Sequence, residues 1–138
     1  MKIDYLSPEY IKAWRNTDPK LPGDELARIM QARRAYVGTD GDVLIAILRY
    51  SLFWDTIPFC NLLHVTEADR GKGCGRLMMA HWERDMKARG YDLLMTSTQA
   101  DEQAQHFYRK LGYRDCGSLL LPFPGYEQPT ELFMAKSI

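Results

Sequence analysis

The sequence predicts a mixed α/β fold: a central sheet with helices on both faces and one parallel strand pair joined by a helix. Three observations carry this. Short apolar runs alternate with amphipathic helical stretches along the chain. Asp40-Gly41-Asp42 separates two apolar runs, and an Asp-Gly step there is a hairpin signal. The unit of strand 59–65, helix 73–89 and strand 91–96 has the form of a βαβ crossover, whose strands run parallel.

The elements follow in order. Met1 to Leu6 reads as a first strand. Ser7-Pro8-Glu9 is a helix start, with Ser7 as cap, Pro8 at the first helical position and Glu9 facing the positive dipole end. Asp18-Pro19 and Leu21-Pro22-Gly23 stop that helix near Asn16. Asp24 to Arg34 is a second helix, in which Leu26, Ile29, Met30 and Arg33 follow the helical spacing, so the apolar stripe is only partial. Ala35 to Thr39 and Val43 to Phe53 are strands, and Ile57-Pro58 bounds a third, Phe59 to Val65. A glycine loop follows. The helix after it places Gly75, Met78, Met79, Trp82 and Met86 on one face, and Gly90 ends it. Tyr91 to Thr96 is a strand. Asp101 to Leu111 is a helix with acids in its first turn and bases in its last, its buried stripe being Ala104, Phe107, Tyr108 and Leu111. Ser118 to Leu121 and Glu131 to Ala135 are closing strands around a proline-rich loop.

Composition limits the function classes. A chain of 138 residues is the size of one domain, and 46% hydrophobic with 26% charged residues is a globular balance. A formal net charge of zero argues against a nucleic-acid partner. No apolar run approaches the ~20 residues of a membrane span, and the N-terminus does not read as a signal peptide. The three cysteines show no C-x-x-C spacing, so neither a disulfide framework nor a metal site is expected. A soluble protein of a reducing cytoplasm is the expectation.

The chemistry is concentrated in Arg70-Gly71-Lys72-Gly73-Cys74-Gly75-Arg76. Glycines at alternate positions let a ligand approach the main chain, three cations surround them, and a helix N-terminus follows. That combination holds a phosphate group. A P-loop needs a hydroxyl residue after its lysine, but Lys72 precedes Gly73. A dinucleotide fingerprint needs G-x-G-x-x-G, and position 76 is arginine. What remains is R-x-x-G-x-G between an apolar strand and a helix.

This resembles motif A of the GCN5-related N-acetyltransferases, the GNAT superfamily, through Leu63-His64-Val65 and, five residues on, Arg70-Gly71-Lys72-Gly73. A second block, Ala104-x-x-Phe107-Tyr108-Arg109-Lys110-Leu111-Gly112-Tyr113, resembles motif B. Together they span Leu62 to Tyr113 in the family's order. The resemblance implies a mostly antiparallel GNAT-like sheet, a single N-acetyltransferase domain over 1–138, and acetyl-CoA as co-substrate with no metal. It implies that the main chain of Arg70, Gly71, Lys72, Gly73, Cys74, Gly75 and Arg76 holds the pyrophosphate. Leu63 and Val65 would pair with the pantetheine arm as a strand does. Tyr108 would be the general acid for the departing thiolate. The acceptor would be a small-molecule or peptide amine, and a homodimer is a candidate assembly. One position departs from the family: Phe59 stands where relatives often carry a glutamate base, leaving His64, Asp55, Glu67 or a water relay. By the same resemblance Trp14, Phe53, Trp54, Phe123 and Tyr126 fall in segments that wall the acceptor side.

Overall fold

A computed structural model describes all residues, 1–138. In chain order the elements are β1 (Lys2–Tyr5), α1 (Ile11–Thr17), α2 (Gly23–Gln31), β2 (Ala35–Asp40), β3 (Val43–Phe53), β4 (Ile57–Val65), α3 (Cys74–Ala88), β5 (Leu93–Gln99), α4 (Ala104–Lys110), β6 (Arg114–Leu119) and β7 (Glu131–Ser137). The strands form a seven-stranded sheet in the order β1-β2-β3-β4-β5-β7-β6. The pairs β1–β2, β2–β3, β5–β7 and β6–β7 are antiparallel, and β4–β5 is parallel. The chain divides into two compact units, residues 1–51 with 61–85 and residues 52–60 with 86–138.

In the first unit both faces of β2 and β3 are covered, so β2 is buried along its whole length except Asp40 and shows no alternation. Ala35, Val37 and Ile47 pack with Leu6, Trp14 of α1 and Leu26 of α2. The opposite face carries Tyr36 and Tyr50, whose rings lie 5.5 Å from His81 and 5.8 Å from Trp82 of α3. A Cβ on Gly38 would come within 2.7 Å of the Met1 sulfur, 3.1 Å of the Met78 sulfur and 3.2 Å of Ala46, so these side chains would have to shift to admit it. Asp18, just past α1, accepts from Trp14 Nε1 at 3.3 Å and from Arg49 Nε at 2.7 Å. This largely buried pair ties the end of α1 to β3.

In the second unit β5 pairs with β7 from Leu93↔Ser137 to Gln99↔Glu131, and β6 lies on the outer side of β7. The start of β4 pairs with β5 at Phe59↔Met95 and Cys60↔Thr96, the parallel pair that the crossover predicts. Phe59 stacks against Phe53 at 6.0 Å and Phe133 at 5.8 Å.

Several boundaries differ from the sequence expectations. Pro8–Tyr10 forms a 3-10 turn ahead of α1, and Ser7 makes no side-chain cap bond. Pro58 lies inside β4 rather than at its edge. The helix after the glycine loop begins at Cys74, so Cys74, Gly75 and Arg76 are its first turn. β5 runs on to Gln99, because Ser97, Thr98 and Gln99 find partners on β7 despite their polarity. α4 starts at Ala104, which leaves the acids Asp101 and Glu102 outside its first turn.

Candidate active site

β4 ends at Val65, and the chain then turns on Thr66. The Thr66 hydroxyl donates to Asp69 at 2.6 Å while the Asp69 amide donates to the Thr66 carbonyl at 2.9 Å. This paired turn closes Glu67–Asp69 into a 3-10 loop and delivers the chain to Arg70. Gly71 and Gly73 then take φ of +75° and +85°, the left-handed region that side chains strain to enter. A Cβ at either would meet no protein atom within 4 Å, so the space over these two residues is open. The first α3 bond runs from the Leu77 amide to the Gly73 carbonyl at 3.0 Å. The amides of Cys74, Gly75 and Arg76 therefore precede the intrahelical ladder and stand at its positive end.

Two of the three loop cations are engaged within the loop itself. Arg70 Nε donates to the Val65 carbonyl at 3.0 Å, and Lys72 Nζ lies 3.5 Å from Asp69. Arg76 is exposed. The loop thus offers main-chain donors first and charge second. Cys74 is buried, 8% exposed, so its amide and not its thiol is what the loop presents. Leu63 and Val65 are half-buried on β4 and precede the loop directly. An open glycine cradle at a helix N-terminus suits a pyrophosphate, and the residues present fit the coenzyme that the resemblance implies.

His64, between Leu63 and Val65, has its pKa lowered, chiefly by burial and secondarily by the positive charge of Arg70. It is neutral at pH 7 and so able to accept a proton.

Tyr108 belongs to the second unit. The spacing that resembles motif B has a mechanical cause. Gly112, at φ +95°, ends α4 in the left-handed region. The Gly112 amide donates to the Arg109 carbonyl at 3.0 Å and the Tyr113 amide to the Tyr108 carbonyl at 3.0 Å. This is the Schellman cap, and its usual apolar contact is present: the Tyr108 and Tyr113 rings meet edge to face at 5.8 Å. Phe107 adds a second edge contact at 5.2 Å. Tyr108 is thereby held at 6% exposure. Burial is the main cause that pushes its phenol well above the usual range, with Cys60 adding to it; a hydrogen bond with Thr96 acts the other way. The phenol keeps its proton at every physiological pH.

Leu63, Val65 and residues 70–76 follow one another along the end of β4 and the start of α3 in the first unit, and Tyr108 lies on α4 in the second. Asp101 lies in the turn before α4 rather than at its cap, which is Gln103. Trp14 is fully buried core, not a wall residue. Trp54, Phe123 and Tyr126 are exposed. Trp54 and Asp55 turn the β3–β4 hairpin with positive φ at both positions, 52° and 62°. Sequence reasoning did not find the bond from the Thr96 hydroxyl to the Cys60 carbonyl that links β5 to β4. It also missed the pocket of about 390 Å³ lined by Ile3, Asp4, Tyr5, His81, Arg84 and Asp85. There Asp85 accepts from Tyr5 at 2.8 Å and from Tyr36, and burial with that bond raises the Tyr36 phenol pKa.

Known proteins resemble the chain in sequence and in fold. The Acetyltransferase (GNAT) family matches residues 3–113. Streptothricin acetyltransferase of Streptomyces lavendulae is 35% identical over 83 residues, which is 59% of this chain and 43% of that protein. The chain thus matches less than half the length of that relative. Ard1 from Thermoplasma volcanium superposes with a TM-score of 0.84 at 16% identity, over 99% of this chain and 97% of that one. An aminoglycoside 6'-N-acetyltransferase complexed with coenzyme A superposes with a TM-score of 0.78 at 20% identity, over 99% and 97%. The folds superpose over nearly the whole chain, and the family match spans most of it. The chain belongs to the GNAT acetyltransferase family.

Proposed function

We propose that the chain is an acetyl-CoA-dependent N-acetyltransferase that transfers an acetyl group directly to a primary amine, with residues 1–138 as one catalytic domain. The observation that carries this reading is the loop: two left-handed glycines under open space, leading into a helix N-terminus. The main chain of residues 70–76 binds the pyrophosphate, and Leu63 and Val65 lie along the pantetheine arm. The amine nitrogen attacks the thioester carbonyl carbon and the carbon–sulfur bond breaks. The sulfur takes the phenolic proton of Tyr108, and the surplus amine proton leaves to water or to a neutral base such as His64. Holding both reactants in place supplies a large part of the rate. No coenzyme-binding side chain beyond the loop cations is required, because the donors are amides.

The acceptor is a small-molecule or peptide amine. The streptothricin and aminoglycoside acetyltransferases named above favour an amine-bearing antibiotic as a first candidate. No helix is long and apolar enough to cross a membrane. Cys60, Cys74 and Cys116 are all free thiols, which suits a reducing cytoplasm. A homodimer remains part of the reading to be measured with the rest.

The test is CoA thiol release from acetyl-CoA in the presence of streptothricin, an aminoglycoside and a short peptide with a free N-terminus. Turnover of any of them is the expected result. A second reading, a coenzyme A-binding module without turnover, is favoured by Phe59, whose ring is packed among Phe53 and Phe133 where relatives often carry a carboxylate. Acetyl-CoA binding by calorimetry with no thiol release from any amine would select it, and no binding at all would overturn both.

A further inference from the structure

The cavity of about 390 Å³ between β1 and α3 has no part in the transfer reaction, and its wall is chemically mixed. Ile3, Asp4 and Tyr5 line it from β1, and His81, Arg84 and Asp85 from α3, all within the first unit. Part of this wall is fixed. The Asp85 carboxylate accepts from the Tyr5 hydroxyl at 2.8 Å and from the Tyr36 hydroxyl, and the Tyr36 ring lies 5.5 Å from His81. The rest is loosely held. The Asp4 carboxylate meets the Lys2 ammonium at 3.1 Å, but both side chains are exposed, and such pairs contribute little. Arg84 is exposed, and its guanidinium makes no hydrogen bond or ion pair within the chain, although two carboxylates line the same cavity.

Opposite charges thus line one cavity without pairing across it. Burial is the main cause that lowers the His81 pKa, Arg84 adds to it, and Asp85 and Asp4 act the other way. His81 is therefore neutral at pH 7, and the wall carries the charges of Asp4, Asp85 and Arg84. No group of three or more His, Cys, Asp or Glu side chains could hold a metal ion, so Asp4, His81 and Asp85 are not a metal centre. A simple anion would face two carboxylates, and a simple cation would leave Arg84 unpaired. We propose that this cavity is a second ligand site, which takes a small zwitterion with an apolar side group, of the class of the apolar α-amino acids. The ligand carboxylate lies on Arg84, its ammonium on Asp4 and its side group on Ile3 and Tyr5. The volume is near the lower end of small-molecule sites, which suits a ligand of that size. No residue of this cavity belongs to the acyl-transfer machinery, so the two sites stand or fall separately.

Three probes that share a phenyl ring and differ in charge test the site. L-Phenylalanine carries both charges, phenethylamine the ammonium alone and 3-phenylpropionate the carboxylate alone. Each is titrated into the full chain at pH 7 without acetyl-CoA, and binding is read from the NMR shift of the His81 ring. L-Phenylalanine should give a saturable shift below about 10 mM, and the other two should bind at least about tenfold more weakly, since each lacks one charged hydrogen bond. Arg84→Gln should weaken L-phenylalanine about tenfold or more and leave phenethylamine within about twofold. Asp4→Asn should weaken L-phenylalanine by a similar factor and leave 3-phenylpropionate no weaker than before. Both side chains are exposed, so the fold should hold in each variant, and the ranking of probes on the parent chain needs neither. No saturable His81 shift with L-phenylalanine up to about 10 mM, or a single-charge probe that binds as tightly, overturns the site. So does an Arg84→Gln variant that leaves L-phenylalanine unchanged, which would place its binding elsewhere on the chain, or one that weakens phenethylamine equally.

Discussion

The glycine loop and Tyr108 are built by opposite means. Residues 70–73 of the loop are exposed, and in the proposed role it acts through main-chain amides; side chains matter there mainly by being absent, as at Gly71 and Gly73. Tyr108 is buried, and what it would offer, in the role proposed for it, is one side-chain oxygen whose proton burial holds in place. A main-chain site tolerates substitution wherever φ allows it. A buried hydroxyl tolerates none, because each neighbour tunes its proton. Loop changes should therefore appear in coenzyme affinity, and changes at Tyr108 in turnover.

Tyr108→Phe is the strongest test of that division. General acid catalysis is worth roughly 10²–10⁴ in rate. Loss of the hydroxyl should lower kcat at least about a hundredfold and leave acetyl-CoA affinity within about twofold, read by steady-state kinetics and calorimetry. The phenol pKa is raised far above its ordinary value of 10.0. Its proton is thus present throughout the accessible range, and kcat of the parent should show no alkaline loss from this group below about pH 10. An equal loss of affinity and turnover would erase the contrast.

Gly73→Ala tests the other side. The added methyl meets no protein atom, so packing does not oppose it. The backbone does, because φ of +85° costs an alanine about 1–2 kcal/mol, and the methyl projects into the cradle. Acetyl-CoA Kd should rise about tenfold or more, while the rate at saturating coenzyme stays near the parent value. A kcat loss at unchanged Kd would place the loop's contribution in the chemistry instead.

The same contrast explains what the sequence revealed. Positive φ restricts residue type, so Gly71, Gly73 and Gly112 are visible as letters at fixed spacing. Apolar faces are visible too, which is why α3 and its stripe of Met78, Met79, Trp82 and Met86 were legible and prove buried. Boundaries were less so, since β5 reaches Gln99 only through pairing with β7, a partner more than thirty residues away in the chain. Thr96 carries no letter pattern at all. Its hydroxyl donates to the Cys60 carbonyl, on another strand, and nothing local marks that contact. The Asp18–Arg49 pair and the Tyr5–Tyr36–Asp85 cluster were hidden for the same reason.

Charge in the loop should rank below its glycines. Arg70 and Lys72 already have partners, so Arg76 is the cation that a variant isolates best. A cation near a bound anion at the surface is worth about 0.3–1 kcal/mol. Arg76→Ala should therefore raise acetyl-CoA Kd about two- to fivefold at low salt, and by less at high salt, where screening has already weakened the parent. A loss as large as that of Gly73→Ala would show that charge, and not main-chain geometry, leads.

His64 gives the smallest effect and links β4 to the loop. Burial first and Arg70 second hold its pKa below the ordinary 6.5, so the folded protein resists charging it. Between that lowered value and 6.5 the unfolded chain binds more protons than the folded one, and stability rises with pH. The contribution is complete above about pH 6.5 and is lost as pH falls through the folded value. Arg70→Gln removes the secondary cause and leaves burial in place. An NMR titration of the His64 ring should show its midpoint move part of the way back toward 6.5, and the slope of Tm with pH below 6.5 should flatten slightly. Tyr108→Phe should leave both unchanged. A His64 midpoint at or above 6.5 in the parent protein would show that burial and Arg70 do not disfavour the charged ring.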